Sequence, residues 1–337
     1  MGPDGPSTGF DTGGTLFLKG HRCGYFCAAA VPDGEAARAK GPARRSAGRG
    51  SVLLAVWLIV AASASALAAA DPAEEAKSAG AAASCLRVMT LNVAHGRGVA
   101  QHQATQTRDE IVANLQKIAE LIRRQRPDIL ALQEADGPSL WSGWFDHVQW
   151  LGDKTQMDYR YRGAHVDRLG LCYGTALLSR QKLLEPFSVA FAPSPPTPTK
   201  GFVAGKVIWP GRPEMLVQVV SVHLDFSRPA VRARQVAELV KRLGQASRPL
   251  VVMGDFNAQW SDRHSAVRST AEGLGLRAYQ PETDRLSTFP LLKRRLDWIL
   301  ISQELEFEEY STLPDEVSDH RAVMAVLRLA GPPKSEH

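Results

Sequence analysis

Residues 251–260 read VVMGDFNAQW. Three apolar residues run into Gly254, and then a carboxylate and a carboxamide follow two positions apart, at Asp255 and Asn257. In a strand, residues i and i+2 point to the same face. Read that way, the segment is a buried strand that delivers Asp255 and Asn257 together at the edge of a sheet, a geometry suited to a metal or a phosphate. Gly, Asp and Asn also build turns, and the decapeptide alone leaves both readings open.

The chain on either side alternates between strand-like and helix-like patterns. Apolar strand patterns fall at 85–94, 128–136, 173–180, 214–223, 249–260, 294–302 and 318–329. Residues 108–126 place Ile111, Leu115, Ile118, Leu121 and Ile122 at helical spacing, and Pro127 stops that helix. Residues 229–243 form a second amphipathic helix. With no repeat at a fixed period and no internal boundary, residues 85–331 are expected to form one α/β domain.

Polar groups gather at the ends of these apolar runs: Asn92, Glu134, His223, Asp255, Asn257, Asp297 and the Asp319–His320 pair. Each has an ordinary structural role open to it, such as a cap, a surface ion pair or a hydrogen-bonded core histidine. Together they are more simply read as one site built at strand ends on a rigid framework.

Bulk composition narrows the function. Apolar residues make up 44% of 337, which supports a large core rather than a disordered chain. Of the formal +5 charge, seven basic and four acidic side chains fall in residues 1–70. That leaves 33 basic against 31 acidic in residues 71–337, so the body lacks the footprint of a non-specific nucleic-acid binder. Four cysteines, Cys23, Cys27, Cys85 and Cys172, show no zinc spacing. Cys85 and Cys172 could pair in an oxidising compartment but are read as two separate buried thiols.

The N-terminal region reads differently. Residues 1–50 are rich in Gly, Pro, Ala and Arg and are expected to be disordered or a mis-extended start. Residues 52–70 carry no charge, follow Arg44, Arg45 and Arg49, and end on Ala68-Ala69-Ala70. A basic flank, an apolar run and a small-residue end fit a signal peptide, and the run is also long enough for a membrane anchor. Both readings of residues 51–70 send the domain out of the cytoplasm. Residues 71–84 read as a linker and 332–337 as a tail.

Six motifs in order, TLNV (90–93), LQEAD (132–136), SVHLD (221–225), GDFNA (254–258), RLDWIL (295–300) and SDH (318–320), resemble the endonuclease/exonuclease/phosphatase superfamily. That group includes deoxyribonuclease I, neutral sphingomyelinases and inositol-polyphosphate 5-phosphatases. The resemblance implies a four-layer αββα sandwich, with two packed mixed sheets flanked by helices, and hydrolysis of phosphate esters with Mg2+ or, alternatively, Mn2+. It also implies roles. Glu134, helped by Asn92 and Asp319, would hold the metal. Asp255 and Asn257 would orient water and contact phosphate. His320 would be the active histidine with Asp297 as its carboxylate partner, and His223 a second histidine.

The chemistry agrees with that assignment. A hard cation with oxygen ligands neutralises a phosphodiester, and a carboxylate-held histidine keeps one tautomer. Either His320 or Asp255 is eligible to take the water proton. Nucleic acid, phospholipid and inositol phosphate all remain open as substrates, and a monomer is expected. Three segments are candidates for selectivity: the Trp-rich stretch 137–151 (Trp141, Trp144, Phe145, Trp150), the Pro-rich loop 193–202 with Lys200, and the polar group Arg160, Arg162 and His165. Exposed aromatics near a site can stack bases or enter a membrane interface. Lys200 is a candidate to meet a phosphate, and Arg160, Arg162 and His165 to line the cleft, but a solvated lysine is the ordinary expectation at position 200, and surface charge that at 160–165.

Overall fold

The computed structural model describes residues 85–245 and 249–331. The expectations for residues 1–50, 51–70, 71–84 and 332–337 fall outside the described residues. Twelve strands and four α-helices are described. The first sheet contains β1 (Leu86–Asn92), β2 (Ile129–Asp136), β3 (Tyr159–Arg168), β4 (Leu171–Ser179), β11 (Leu305–Thr312) and β12 (Val323–Leu329), in the order β11-β12-β1-β2-β4-β3. The second contains β5 (Leu184–Ala190), β6 (Gly201–Trp209), β7 (Arg212–His223), β8 (Leu250–Asp255), β9 (Leu276–Ala278) and β10 (Asp297–Ser302), in the order β5-β6-β7-β8-β10-β9.

Each sheet has a parallel pair at its centre and antiparallel neighbours outside it. The central pairs are β1/β2 and β7/β8. A parallel pair needs a crossover, and α1 (Arg108–Gln125) and α3 (Pro229–Leu243) supply it. The two halves thus repeat one strand pattern, which no sequence period announces.

Helix α1 begins where its sequence says it should. Thr107 and Glu110 form a reciprocal capping box, and Arg126 ends the helix in a left-handed conformation just before Pro127. Its apolar stripe, with Val148 and Leu151 of α2 (His147–Thr155), packs on Met89, Leu91, Leu130 and Leu132 of the first sheet. On the other side, α3 and α4 (Ala266–Leu274) pack Leu239, Leu243, Val267 and Leu274 on Val220, Val222 and Val252 of the second sheet. Between the sheets lies a third cluster: Val88, Ile129 and Ala131 meet Val219, Val251, Met253, Ile299 and Ile301. The layers are therefore helix, sheet, sheet, helix, as the family resemblance implied.

A polar seam ties the sheets together beneath their rim. Gln133 donates through Nε2 to Thr90 Oγ1 at 3.2 Å and to Ser221 Oγ at 3.1 Å, and the Ser221 hydroxyl donates to the Leu132 carbonyl at 3.0 Å. All three side chains are buried and satisfied, so the seam fixes how β1, β2 and β7 sit against one another.

Several elements differ from the sequence expectation. The strand expected at 249–260 stops at Asp255, and the one expected at 318–329 starts at Val323. Asp319 and His320 therefore lie in the loop before β12. Strands β3, β5, β6, β9 and β11 and helices α2 and α4 were not expected.

Candidate active site

Strand parity explains most of the site. The residues of β1 that face the other sheet are Leu86, Val88 and Thr90, and the next in step is Asn92. In β7 the series through Val217, Val219 and Ser221 reaches His223. In β8, Val251 and Met253 lead to Asp255, and in β10, Ile299 and Ile301 lead back to Asp297. Each series leaves the apolar layer between the sheets at the same rim. There the strand registers place His223 opposite Asp255 and Asp255 opposite Asp297.

Glu134 reaches the site by a different device. In β2 the regular series Ile129, Ala131, Gln133 faces the second sheet, so Glu134 would face the helices. A β-bulge intervenes: Gln133 pairs Thr175, Ala135 pairs Gly174, and Glu134 is the extra residue, with a left-handed φ of +51°. Bulges re-aim a side chain in this way, and a non-glycine residue held there carries local strain.

Asn257 corrects the period-of-two argument. It lies beyond the end of β8 with φ +50°. Its amide N–H donates to Asp255 Oδ1 at 2.9 Å, and its Nδ2 donates to the Leu224 carbonyl at 3.1 Å. The strand and turn readings of GDFN are thus both present: Asp255 closes the strand and Asn257 belongs to an Asx turn.

The side chains form one continuous network. His320 Nδ1 lies 2.8 Å from Asp297 Oδ2, and its Nε2 lies 4.0 Å from Asp255 Oδ2. That same Asp255 oxygen accepts from Asn92 Nδ2 at 3.1 Å and lies 3.4 Å from His223 Nε2. His223 Nδ1 stands 3.4 Å from Lys200 Nζ, which is 3.6 Å from Glu134 Oε1. The other Glu134 oxygen is 3.3 Å from His95 Nε2, and His95 Nδ1 is 2.7 Å from Asp136 Oδ1. Asp319 joins from the side. It pairs with Arg97, and Ser318 beside it donates to the Asn92 carbonyl at 2.7 Å. Asn92 Oδ1 also accepts from Ala94 N at 3.0 Å, so this residue caps its own turn as well.

Burial and charge set the ionisation states. Burial and the facing Asp297 carboxylate push the Asp255 pKa up, against a smaller opposing pull from His320. For His320, burial works to lower the pKa, but Asp297 and Asp255 outweigh it and raise the pKa, so its ring is an imidazolium at neutral pH. His223 goes the other way: burial and the Lys200 ammonium hold it neutral. Burial of Glu134 is overcome by His95, Lys200, His223 and Arg97, which keep it ionised far into acid. His95 is raised by Glu134 and Asp136 against the desolvation that would lower it.

Of two further neighbours, His95 was not expected at the site, and Lys200 was named only as a candidate on a loop where a solvated lysine is the ordinary case. Trp141 and Tyr173 pack edge-on to the His95 ring, with centroids at 4.9 and 4.7 Å. Lys200 is 6% exposed, not the solvated loop lysine expected from its Pro-rich context.

The other selectivity candidates divide. Phe145 and Trp150 pack on the core, Trp141 backs His95, and Trp144 faces solvent. Arg160 bonds the Gln149 carbonyl and Asp153, while Arg162 bonds Cys172 Sγ at 3.1 Å and Asp146 at 3.4 Å, so both tie α2 and its approach to the first sheet. His165 is buried against Thr175 Oγ1 at 3.0 Å, and burial, helped by Lys200, pushes its pKa down to about 3. Cys85 contacts Glu308 and Cys172 contacts Arg162, so the two thiols are separate as expected, but each is half-buried rather than buried.

A group of ligating side chains is compact enough for an ion at Asp255, Asp297 and His320, whose ligand atoms lie within 4.8 Å of one another. All three are nearly sealed from solvent, and two are spent on each other at 2.8 Å. Glu134 and Asp319 are more exposed, with side chains 21% and 28% accessible, although Glu134 is paired with His95 and Lys200 and Asp319 with Arg97. A magnesium ion keeps several of its waters, so a partly exposed carboxylate suits a hard divalent cation better than the sealed trio.

Comparison with known proteins agrees with this architecture. A family model described as the Endonuclease/Exonuclease/phosphatase family matches residues 89–320. The UPF0294 protein YE0917 of Yersinia enterocolitica is 28% identical over 119 residues, 35% of this chain and 45% of that protein, so the match spans less than half of that relative. The endonuclease/exonuclease/phosphatase from Beutenbergia cavernae superposes with a TM-score of 0.57 at 21% identity, over 74% of this chain and 73% of that one. The human Nocturnin catalytic domain, solved with a bound sulfate anion, gives 0.56 at 21% identity over 73% and 95%. At these identities the structures share the fold.

Proposed function

The chain belongs to the endonuclease/exonuclease/phosphatase family, whose members are phosphoester hydrolases, and from that premise we propose that it is a divalent-metal-dependent phosphoesterase acting outside the cytoplasm. The observation that carries the reading is the convergence of Asp297, His320, Asp255, His223, Lys200 and Glu134 from both sheets onto one rim, each within 4.0 Å of the next. Glu134, with Asn92 and Asp319, would hold the metal, Mg2+ or Mn2+, which supplies Lewis-acid neutralisation of the phosphate and stabilises the departing oxygen.

The chain's own groups divide the proton work. Asp255, with its raised pKa and its position between Asn92 and His223, takes a proton from the attacking water. The water oxygen bonds to phosphorus as the ester P–O bond breaks. His320, an imidazolium held by Asp297, stabilises charge on the phosphoryl oxygens. Asn257, locked in its turn, helps to fix the Asp255 carboxylate.

Between substrates, a phospholipid or small phosphate ester is favoured over nucleic acid. The near-neutral body offers little attraction for a polyanion. Leu140, Trp144 and Leu169 are exposed on the loop that backs His95 and on the β3–β4 turn, which the Leu140 N–H joins through the Gly170 carbonyl at 2.9 Å. Such side chains suit an apolar interface.

The test is hydrolysis of bis-p-nitrophenyl phosphate, plasmid DNA, sphingomyelin and phosphatidylinositol phosphates, with Mg2+ and with EDTA. Turnover is expected with Mg2+, is expected to vanish in EDTA, and is expected to be nearly abolished in Glu134→Gln. That variant should still fold by circular dichroism, although its melting temperature falls as Lys200 and His95 lose their counter-charge. Full activity in EDTA refutes the metal role. The extracytoplasmic placement rests on residues 52–70. A reporter joined after residue 84 should be active only outside the cytoplasm, and cytoplasmic activity there would overturn it.

A further inference from the structure

Lys200 is a buried cation at the centre of the site. Burying an ammonium is costly unless charge or hydrogen bonds compensate. Yet its neighbours in the cleft stand back, with Glu134 Oε1 at 3.6 Å and His223 Nδ1 at 3.4 Å. Charge-assisted N–H···O contacts close to about 2.7–2.9 Å when nothing prevents them. An ammonium has three donors, and these two long contacts leave it capacity for a closer oxygen.

The lysine is also held in place. The Arg228 guanidinium donates to the Ser194 carbonyl, to the Pro195 carbonyl at 3.0 Å and to Thr197 Oγ1 at 2.7 Å. The Thr197 hydroxyl donates to Asp225, and the Phe191 N–H donates to the Lys200 carbonyl at 2.9 Å. Asp225 and Arg228 follow directly on the end of β7, and Gly201 pairs His223 in the ladder. The end of the strand that delivers His223 thus clamps the loop that delivers Lys200. A lysine serving only as a tether for Glu134 would not need a second, independent anchor on its backbone.

We propose that Lys200 is a further catalytic residue, whose ammonium binds a non-bridging oxygen of the substrate phosphate between Glu134 and His223. This rests on the phosphoesterase reading and adds to it a fixed positive charge that stays when the metal leaves. The alternative is that Lys200 only neutralises Glu134. The two differ in a background where position 134 is neutral: a phosphate-binding lysine takes anion affinity with it even in Glu134→Gln, whereas a mere counter-ion lowers anion affinity only through the Glu134 charge it bares and has no effect there.

The experiment titrates inorganic phosphate into wild type, Lys200→Met, Lys200→Arg, Glu134→Gln and the Glu134→Gln/Lys200→Met double variant in EDTA, by calorimetry. It also measures kcat and KM on bis-p-nitrophenyl phosphate with Mg2+ for the single Lys200 variants. The fall in phosphate affinity on losing Lys200 is expected to persist in the Glu134→Gln background, and its absence there overturns the proposal. Thermal melts confirm folding, and Lys200→Gln replaces the methionine variant if that one unfolds. Lys200→Met is expected to weaken phosphate binding by about 10- to 100-fold and to lower kcat/KM comparably, with arginine restoring part of both. Unchanged phosphate affinity in the folded methionine variant overturns the proposal, as does wild type that binds no phosphate. Weakened phosphate binding with unchanged kcat/KM overturns the catalytic assignment. If wild type hydrolyses nothing, the phosphoesterase reading fails, and the phosphate titration still decides whether Lys200 is an anion receptor.

Discussion

Replacing Gly254 by alanine tests whether the site is built by close strand contact. Gly254 has φ +146°, which L-residues rarely adopt, and a Cβ there would lie 2.0 Å from the Val222 carbonyl oxygen and 2.9 Å from two further Val222 backbone atoms. Real Cβ contacts stay beyond 3.0 Å, so β7 and β8 would have to part by about 1 Å. Both partners are backbone in a parallel ladder, where Val222 opposes Gly254 and His223 opposes Asp255. Overpacking of this kind costs about 1–3 kcal/mol and the backbone conformation about 1–3 kcal/mol more. The sum, about 2–6 kcal/mol, is a large share of a typical total stability of about 5–15 kcal/mol. For a domain of this size it corresponds to a fall in melting temperature of about 4–24 °C. Gly275→Ala is the control. Gly275 also has a positive φ, +61°, but a Cβ there meets nothing within 4 Å, so only the left-handed penalty of about 1–2 kcal/mol applies. Urea unfolding of the two variants isolates the clash as their difference, expected to be at least about 1 kcal/mol. If Gly254→Ala is no less stable than Gly275→Ala, the close approach of β7 and β8 does not hold the site together.

Asp297→Asn keeps the size of the side chain that orients His320 and removes its charge. Loss of a charge-assisted bond worth about 1.5–3 kcal/mol should lower kcat/KM by about 10- to 150-fold, and activity within threefold of wild type would exclude that role. The raised pKa of His320 carries a stability signature. A folded-state pKa above the unfolded value of about 6.5 contributes stability that is fully present below pH 6.5 and is lost as pH rises towards about 10. The wild-type advantage over His320→Gln in urea should therefore be larger at pH 6 than at pH 9.5, and a constant or growing advantage would count against it.

Much of this molecule can be read from its sequence because strand ends are marked chemically. Apolar periodicity locates β1, β2, β7, β8 and β10, and the polar residue closing each run marks the rim. Four things escape that reading, wholly or in part. The bulge at Glu134 depends on how β2 pairs with β4, and nothing in LQEAD shows that Glu134 is the extra residue rather than one in step. Asn257 looks like the next residue on the Asp255 face until the strand is seen to end at Asp255. Lys200 follows a Pro-rich loop and precedes GFVAGKVIW, a glycine-interrupted run with no clear alternation. Its place in the site follows from Gly201 pairing His223, a fact of ladder register. His95 had a weak signal, a histidine three residues beyond the polar end of β1, but its partners Glu134 and Asp136 come from the neighbouring strand and are not visible locally.

The pairing of β1 with β12 closes the domain on itself. The first strand runs towards the cleft and the last runs away from it, with Leu86 opposite Leu327 and Thr90 opposite Val323. At about 3.3 Å per residue, the start of β1 and the end of β12 lie roughly 20 Å from the rim that Asn92 occupies. The start of the first strand and the end of the last are thus neighbours, at the opposite end of the sheet from the chemistry. Cargo, tags or tethers spliced directly before Leu86 or after Leu329 would lie well away from the mouth of the cleft. These two points are also close enough to be joined by a short linker, so that the domain could be reopened at an exposed turn such as Leu169–Gly170 without cutting any strand that carries a site residue.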